Sequence, residues 1–242
     1  MEMFDCIGFI GVGVMGEPMC RNLALKGGDK VLAYDIDPAP LERLAADGVV
    51  AADSLAELCA KTHTILMSLP DGELVRLACY GEHGLLENLT SGQSVIDCGT
   101  SPPQLARELH QAFAAKNIAF ADAPVARTRQ AAIDGTLSIM VGGDKSVFDR
   151  IQPILACMAS DITHCGEPGA GQTVKILNNM MLFQNCAAIA EALAIARRAG
   201  LDEELFLQTV GKSSGDSFAL RNHATKAMLP RDYPDVAFSV RY

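Results

Sequence analysis

The longest apolar segment of the chain spans residues 174–196. It contains no Gly, Pro or turn pair, and Ala, Leu, Ile and Met dominate it, so the pattern predicts one helix of about 35 Å at ~1.5 Å per residue. Because the segment is apolar on nearly all sides, we expect this helix to run through the middle of the folded protein. A membrane span is the alternative, and the lysine, the three asparagines and Glu191 within the segment argue against it.

The polar residues at the start of this segment form a pattern. Lys175, Asn178 and Asn179 stand at positions i, i+3 and i+4 and therefore share one helix face. An ammonium group and two amides on a buried helix need polar groups around them. This face is therefore the first candidate site.

Short apolar runs alternate with amphipathic segments before the long helix. The runs predict strands at residues 6–10, 30–34, 49–51, 64–68, 94–98, 118–121, 136–141 and 161–165. Helices fit residues 15–26, 55–60, 72–79, 103–116 and 145–158, and two more fit residues 202–210 and 218–228 beyond the long helix. The alternation predicts an α/β fold with a doubly wound parallel sheet. We expect this first domain over residues 1–166 and an all-α second domain over 167–242, joined through the one long helix.

A glycine turn lies between the first strand and the first helix. It contains Gly11, Gly13 and Gly16 in the pattern Gly-x-Gly-x-x-Gly, which lets the backbone approach a pyrophosphate at the N-terminus of the helix. Asp35 ends the second strand, about 20 residues after this turn. There a carboxylate can accept hydrogen bonds from the ribose of NAD and repel the 2′-phosphate of NADP. The other interpretation of Asp35 is that it only begins the turn at residues 35–38.

Ligands of such sheets lie beyond the carboxyl ends of the strands. Three turn-like segments follow strands directly, at residues 68–70, 99–102 and 122–125, and we expect them to line the site. They add Ser68, Leu69, Pro70 and Thr100 to the candidate cofactor residues.

Charge and cysteine content exclude several classes of protein. The formal net charge of −9 argues against general affinity for nucleic acid or an anionic membrane. The acidic N-terminus does not resemble a secretory signal, so we expect a cytoplasmic protein. Its eight cysteines show no metal-ligand spacing, which favours small apolar roles in a reducing compartment and predicts no metal site.

Three ordered motifs carry a resemblance that covers essentially the whole chain. They are Gly11-Val-Gly-Val-Met-Gly16-Glu-Pro18-Met-Cys-Arg-Asn22-Leu, Asp122-Ala-Pro-Val125 and Gly169-Ala-Gly171-Gln-Thr-Val-Lys175-Ile-Leu-Asn178-Asn179. Together they resemble the β-hydroxyacid dehydrogenases, the family of 3-hydroxyisobutyrate dehydrogenase and tartronate semialdehyde reductase. The resemblance implies a Rossmann domain that binds NAD, a helical second domain, and assembly as homodimers or homotetramers.

The resemblance also implies roles for individual residues. By position, Lys175 is the catalytic residue, and Asn178 and Asn179 orient the substrate. The cofactor is lined by Val14, Met15, Asp35, Leu69 and Thr100. A lysine ammonium can protonate the oxygen on which charge grows when a hydride reaches an aldehyde, and it can accept the alcohol proton in reverse. We expect partial burial and a neighbouring arginine to lower the pKa of Lys175.

One segment departs from the commoner family pattern. After Asp-Ala-Pro-Val most members have Ser-Gly-Gly, which holds a substrate carboxylate, whereas this chain has Ala126, Arg127 and Thr128. A guanidinium suits an anion with more oxygens than a carboxylate. The nearest pattern is Gly-Arg-Thr in the sulfolactaldehyde reductase branch, where the arginine faces the sulfonate. A solvent-exposed loop arginine is the alternative, and it is the preferred interpretation of Arg129.

The C-terminal segment is a second departure. In the family the segment that corresponds to residues 235–242, with Phe238, leads into a helix with a lysine near the substrate. We expect that this sequence is part of a protein of roughly 290 to 300 residues; a partner that supplies the missing wall is the alternative.

The resulting hypothesis is an NAD-dependent reductase of a short acidic aldehyde, with 3-sulfolactaldehyde as the first candidate. The alternatives are tartronate semialdehyde, 3-hydroxyisobutyrate and succinic semialdehyde with the same chemistry. A dinucleotide-binding sensor without catalysis is a hypothesis of another class, and it would not need Lys175 with Asn178 and Asn179.

Overall fold

A computed structural model describes residues 6–233 of the chain. Nine strands form one sheet. They are β1 (Cys6–Ile10), β2 (Lys30–Tyr34), β3 (Val50–Ala51), β4 (Thr64–Met67), β5 (Ser94–Asp97), β6 (Ala119–Asp122), β7 (Val125–Ala126), β8 (Leu137–Gly142) and β9 (Ala159–Gly166). The order is β3-β2-β1-β4-β5-β6-β8-β7, and β9 pairs with β8. Strands β1 to β6 are parallel, β8 is antiparallel to β6 and β7, and β9 runs parallel to β8.

Helices connect the strands and follow the sheet. They are α1 (Gly16–Lys26), α2 (Pro38–Ala45), α3 (Leu55–Lys61), α4 (Gly72–Tyr80), α5 (Leu85–Asn88), α6 (Pro103–Ala114), α7 (Arg129–Asp134), α8 (Lys145–Leu155), α9 (Ala170–Arg198), α10 (Glu203–Val210) and α11 (Leu220–Met228), the last wound as a π-helix.

The central strands are buried on both faces. Successive residues of β4 belong to different hydrophobic clusters: Leu66 packs with residues of α1 and α8, whereas Ile65 and Met67 pack with residues of α3, α4 and α6. The same alternation separates Ile96 from Val95 in β5. Because side chains alternate across a strand, helices must cover both faces of this sheet. The predicted α/β fold with a doubly wound sheet is confirmed.

Each predicted strand overlaps an observed one, whereas strand β7 and helices α2, α5 and α7 were not predicted. Among these, α2 begins Pro-Ala-Pro, with Pro38 at its first position and the Asp37 carboxylate accepting a hydrogen bond from the Ala39 N–H at 3.0 Å. Both are ordinary helix-start signals. In α7, Thr128 caps the start, with its hydroxyl 3.3 Å from the Ala131 nitrogen.

The chain divides into two compact units inside α9, after Lys175. Unit 1 contains the sheet with its helices and the first turns of α9. In unit 2 the remainder of α9 packs against α10 and α11 through Ile189, Leu193, Leu207 and Leu220. The predicted helices at 202–210 and 218–228 correspond to α10 and α11, whereas the expectation for the segment around Phe238 lies outside the described residues.

The prediction that the long helix is buried on nearly all sides is wrong for this chain. Residues such as Met181 and Phe183 are 61% and 67% exposed. The physical reason is that, in the described part of unit 2, only α10 and α11 pack on the helix, and they cover the single face that contains Ile189 and Leu193. The helix is also long and apolar enough to cross a membrane by length and composition alone, a property that core helices of soluble proteins share.

Candidate active site

The glycine turn after β1 is built by close backbone contacts. Gly11 has φ of +84°, and a Cβ there would lie 2.5 Å from the carbonyl oxygen of Ser68. A Cβ at Gly16 would lie 1.9 Å from the carbonyl oxygen of Gly11. At Gly13, by contrast, a Cβ would meet no atom within 4 Å. Gly11 and Gly16 therefore allow the turn itself, while Gly13 leaves a free approach to the backbone in front of α1.

Asp35 holds this turn in place. Its carboxylate accepts hydrogen bonds from the Val12 N–H at 2.7 Å and from the Asp37 N–H at 2.9 Å. The side chain is half-buried at the end of β2, so its remaining lone pairs face a site that solvent can reach. The carboxylate thus stabilises the glycine turn and is also free to accept further hydrogen bonds.

The segments after β4 and β5 lie beside the same turn. A Cβ at Gly11 would be 3.0 Å from Leu69 Cδ2, and one at Gly99 would be 2.9 Å from the Leu69 carbonyl oxygen. The structure therefore brings together Gly11, Ser68, Leu69 and Gly99, with Pro70 and Thr100 adjacent in the chain. Val14 is 40% exposed and Met15 half-buried at the start of α1.

These features fit a dinucleotide. The open side of Gly13 and the backbone N–H groups just before α1 suit a pyrophosphate, and the carboxylate of Asp35 suits ribose hydroxyls. That these residues hold NAD stays a prediction.

Lys175 lies in the second turn of α9 and is half-buried. Burial lowers the pKa of its ammonium group. Among residues 6–233 burial is the one cause found for this shift, so the expected contribution of a neighbouring arginine is not seen there. Within residues 6–233 no carboxylate forms an ion pair with this lysine. Asn178 and Asn179 follow one turn along the same helix; their amide groups are 3.4 Å apart.

Arg127 is not placed as expected. Its guanidinium donates to the carbonyl oxygen of Thr136, to Ser160 Oγ at 2.8 Å and to Asp161 Oδ2 at 2.6 Å. All three partners lie at the β8–β9 edge, and every contact found for this guanidinium among the described residues is with them. The expectation that Arg127 faces a substrate anion is therefore not met, because Asp161 of β9 already pairs with it.

The residues on either side of Arg127 also make structural contacts. Ala126 is buried in β7 opposite Ser138 of β8, and the Thr128 hydroxyl caps α7. Arg127 itself has φ of +86°, a conformation that favours glycine. Arg129 is exposed at the start of α7.

The structure also contains a buried polar network that was not predicted from the sequence. Asp97 accepts hydrogen bonds from the Gly99 N–H at 3.0 Å and the Ser101 hydroxyl at 2.8 Å. Gln172 bonds to the same loop, and Asp122 bonds to the start of α9. Burial raises the pKa of Asp97 to about 7. The signal in the sequence is an acid at the end of an apolar strand, in Val95-Ile96-Asp97 and Phe120-Ala121-Asp122.

Comparisons with known proteins agree with this geometry. Residues 6–166 match the family described as "NAD binding domain of 6-phosphogluconate dehydrogenase". Residues 169–241 match the family described as "NAD-binding of NADP-dependent 3-hydroxyisobutyrate dehydrogenase". The 3-hydroxyisobutyrate dehydrogenase of Pseudomonas aeruginosa is 40% identical over 214 residues, which is 88% of this chain and 72% of that protein. The chain belongs to the β-hydroxyacid dehydrogenase family.

Further relatives show the same family. The 2-(hydroxymethyl)glutarate dehydrogenase of Eubacterium barkeri is 38% identical over 96% of this chain and 77% of its own length. A solved structure of the 3-hydroxyisobutyrate dehydrogenase of Mycobacterium tuberculosis with L-serine superposes with a TM-score of 0.83 at 36% identity, covering 91% of this chain and 74% of that one.

The family identifies the class of reaction. The protein is an NAD-dependent dehydrogenase that acts on CH–OH groups. The predicted cofactor, NAD, and the predicted enzymatic activity are confirmed, which sets aside the hypothesis of a sensor without catalysis.

Proposed function

We propose that this β-hydroxyacid dehydrogenase interconverts a short β-hydroxy acid and its aldehyde, with Lys175 as the group that moves the proton. The observation that carries the proposal is the half-buried ammonium group near the start of α9, whose pKa is lowered by burial and not raised by a carboxylate. A lowered pKa makes the ammonium group a stronger proton donor, and the neutral amine that it leaves can accept a proton in the reverse direction.

The chemistry of the residues follows from this placement. NADH, when bound, supplies a hydride to the carbonyl carbon. Lys175 Nζ donates a proton to the carbonyl oxygen as negative charge develops on it, and it takes the alcohol proton in the reverse direction. Asn178 and Asn179 donate amide hydrogens that orient the substrate.

The cofactor preference is assigned to Asp35. Its carboxylate already accepts two backbone N–H groups, so it is fixed at the end of β2. A fixed carboxylate accepts hydrogen bonds from the 2′- and 3′-hydroxyls of NAD and repels a 2′-phosphate. We therefore expect NADH to serve better than NADPH.

The substrate class proposed first is a carboxylate. Arg127 is the residue on which a sulfonate such as 3-sulfolactaldehyde depends, and its guanidinium pairs with Asp161. The relatives are named for the carboxylates 3-hydroxyisobutyrate and 2-(hydroxymethyl)glutarate, which supports the same choice. 3-Sulfolactaldehyde remains the second candidate because the ion pair is exposed, with 38% and 58% of the two side chains accessible, and such pairs exchange partners at little cost.

The experiment that separates the two candidates is the ratio of kcat/KM for 3-sulfolactaldehyde over that for a carboxylate aldehyde, tartronate semialdehyde, with NADH. We expect a ratio below one. A ratio far above one would make the sulfonate the preferred substrate instead.

We also propose that the chain forms a homo-oligomer through the exposed side of α9. Ile176, Leu177, Met180, Met181 and Phe183 are all exposed within unit 2, and contiguous apolar surface of this kind marks an interface. Light scattering coupled to gel filtration tests this: Phe183→Asp should lower the mass to that of a monomer, and a wild-type monomer would refute the proposal.

A further inference from the structure

Asp122 lies where the sheet meets the start of the long helix. It is the last residue of β6 and is fully buried. Its Oδ1 accepts a hydrogen bond from the Gly169 N–H at 2.7 Å, and its Oδ2 accepts one from the Gln172 N–H at 2.8 Å. Gly169 precedes α9 and Gln172 is the third residue of that helix. A carboxylate from a strand thus caps the first turn of α9.

Two glycines make room for this carboxylate. A Cβ at Gly142 would lie 2.5 Å from Asp122 Oδ1, and a Cβ at Gly171 would lie 2.9 Å from Oδ2. One of these glycines ends β8 and the other belongs to the first turn of α9. The helix therefore approaches the sheet as closely as its backbone allows, with Asp122 at the point of contact.

The side chain of Gln172 extends the same contact to a second loop. Its Oε1 accepts a hydrogen bond from the Ser101 N–H at 3.0 Å, and its Nε2 donates one to the Gly99 carbonyl oxygen at 2.9 Å. Gln172 is fully buried. These bonds join the first turn of α9 to the loop after β5 that contains Thr100, one of the candidate cofactor residues. We call Asp122 and Gln172 together the Asp122–Gln172 clamp.

The charge of Asp122 suits this position. No lysine or arginine pairs with its carboxylate among residues 6–233. Burial raises its pKa, and the N–H groups of Gly169, Gln172 and Gly171 oppose that rise. Hydrogen bonds to an ionised acceptor are stronger than neutral ones, and an anion at a helix N-terminus is favoured by the helix dipole. The other titratable groups near it are Asp97 and Cys165.

We propose that Asp122 is a positioning residue for the reaction: through the Asp122–Gln172 clamp it fixes the first turn of α9 and so the orientation and depth of Lys175. Lys175 stands three residues after Gln172, one helical turn further on. A shift of the first turn moves the ammonium group with it, because the helix transmits the displacement rigidly over one turn. This inference rests on the proposed role of Lys175.

The test is Asp122→Asn, a change of nearly equal shape. The amide can keep one of the two bonds, but its NH₂ group then faces a backbone N–H, donor against donor. We expect kcat to fall at least tenfold, because proton transfer tolerates little misplacement. The Kd for NADH should stay within about twofold, since the glycine turn is untouched. The inflection in the pH profile of alcohol oxidation that belongs to Lys175 should move to higher pH as the ammonium becomes more exposed.

Asp202→Asn is the matched control. Asp202 caps α10, its carboxylate accepting a hydrogen bond from the Leu205 N–H at 2.7 Å, and it belongs to no proposed site. It should lower the melting temperature slightly and leave kcat and the pH profile unchanged. If Asp122→Asn behaves in the same way, with stability reduced but kcat and the inflection unchanged, the proposal is overturned and Asp122 is only structural.

Two further variants keep the test decisive. If Asp122→Asn does not fold, Gln172→Met decides, because it removes the bonds to Gly99 and Ser101 while the backbone bonds to Asp122 remain. For Gln172→Met we expect kcat to fall about 3- to 10-fold and the Lys175 inflection to move to higher pH, as in Asp122→Asn. A variant with unchanged kcat and an unchanged inflection would overturn the proposal. Lys175→Ala is measured in parallel. Normal turnover by Lys175→Ala would refute the role of Lys175 itself. If Lys175→Ala loses turnover while Asp122→Asn keeps the wild-type kcat and inflection, only the positioning role of Asp122 is refuted.

Discussion

Replacing Gly13 by alanine should weaken cofactor binding without weakening the fold. At this position a methyl group meets no protein atom within 4 Å, and the backbone does not have a positive φ. The free protein therefore has both the space and the backbone conformation for alanine. The methyl group would instead occupy the side from which a pyrophosphate approaches the N–H groups before α1.

The expected changes in stability and in cofactor affinity differ between substitutions at Gly13 and at Gly16. Gly→Ala at a compatible position stabilises a protein by about 0.4–1 kcal/mol, because alanine lowers the conformational entropy of the unfolded chain. Losing one hydrogen bond to a charged group costs about 1.5–3 kcal/mol, which is roughly 10- to 100-fold in affinity. At Gly16 the new Cβ would lie 1.9 Å from a backbone oxygen, so Gly16→Ala must displace the turn and should cost about 3 kcal/mol of stability.

Thermal unfolding without cofactor and a fluorescence titration with NADH measure the two effects. For Gly13→Ala we expect an unchanged or slightly higher melting temperature with a Kd raised 10- to 100-fold, and for Gly16→Ala a melting temperature lower by roughly 6–12 °C. Wild-type affinity in Gly13→Ala would refute the placement of the pyrophosphate, and equal destabilisation of both variants would refute the geometry of the turn.

Three more predictions concern the acids and the arginine around the site. Asp35→Ser should shift the preference between NADPH and NADH at least tenfold towards NADPH. Loss of its bond to Val12 should cost about 1 kcal/mol of stability. An unchanged ratio of kcat/KM with NADPH to kcat/KM with NADH would argue against this role of Asp35. The ordinary pKa of an aspartate, 3.8, is raised by burial to about 7 at Asp97, so the folded protein retains a proton there that the unfolded chain loses, and stability declines as pH rises from about 4 to 7. In Asp97→Asn the Oδ1 atom can still accept from the Gly99 N–H, while the NH₂ group can donate to Ser101 Oγ, which reverses that bond. The variant should therefore gain roughly 2–4 kcal/mol relative to wild type across that window in urea unfolding, and a pH-independent difference would contradict the buried acid. Arg127→Gly removes an exposed ion pair with Asp161 worth at most about 1 kcal/mol and relieves the positive φ. Turnover of a carboxylate aldehyde should therefore change less than about threefold. A large loss of turnover on the carboxylate aldehyde would indicate that Arg127 binds the substrate.

Local patterns were enough to predict most of unit 1. The strand before Gly11, the turn that ends at Gly16 and the acid at Asp35 lie within one βαβ segment, and their spacing alone indicates a dinucleotide site. The short helix α2 could have been predicted as well, because Asp37 and Pro38 are a standard helix start.

Contacts between distant residues could not be predicted. Arg127 pairs with Asp161, which lies 34 positions away, and nothing local to Arg127 distinguishes that pair from a free guanidinium. Gln172 reaches Ser101 across 71 positions and Asp122 reaches Gly169 across 47.

The exposure of α9 was mispredicted for a different reason. Its composition predicts burial, but burial depends on how many elements surround a helix, and composition does not contain that number.

The measurement that tests the central claim most directly is turnover by Lys175→Ala beside its affinity for NADH. Wild-type protein and the variant are incubated with NAD and a panel of short β-hydroxy acids, and formation of NADH is followed by absorbance. We expect turnover of at least one acid by the wild type, a loss of 10²- to 10⁴-fold in the variant, and the same Kd for NADH in both. Turnover by the variant close to wild type would remove Lys175 from the reaction, and weakened NADH binding in step with turnover would make it a cofactor residue instead.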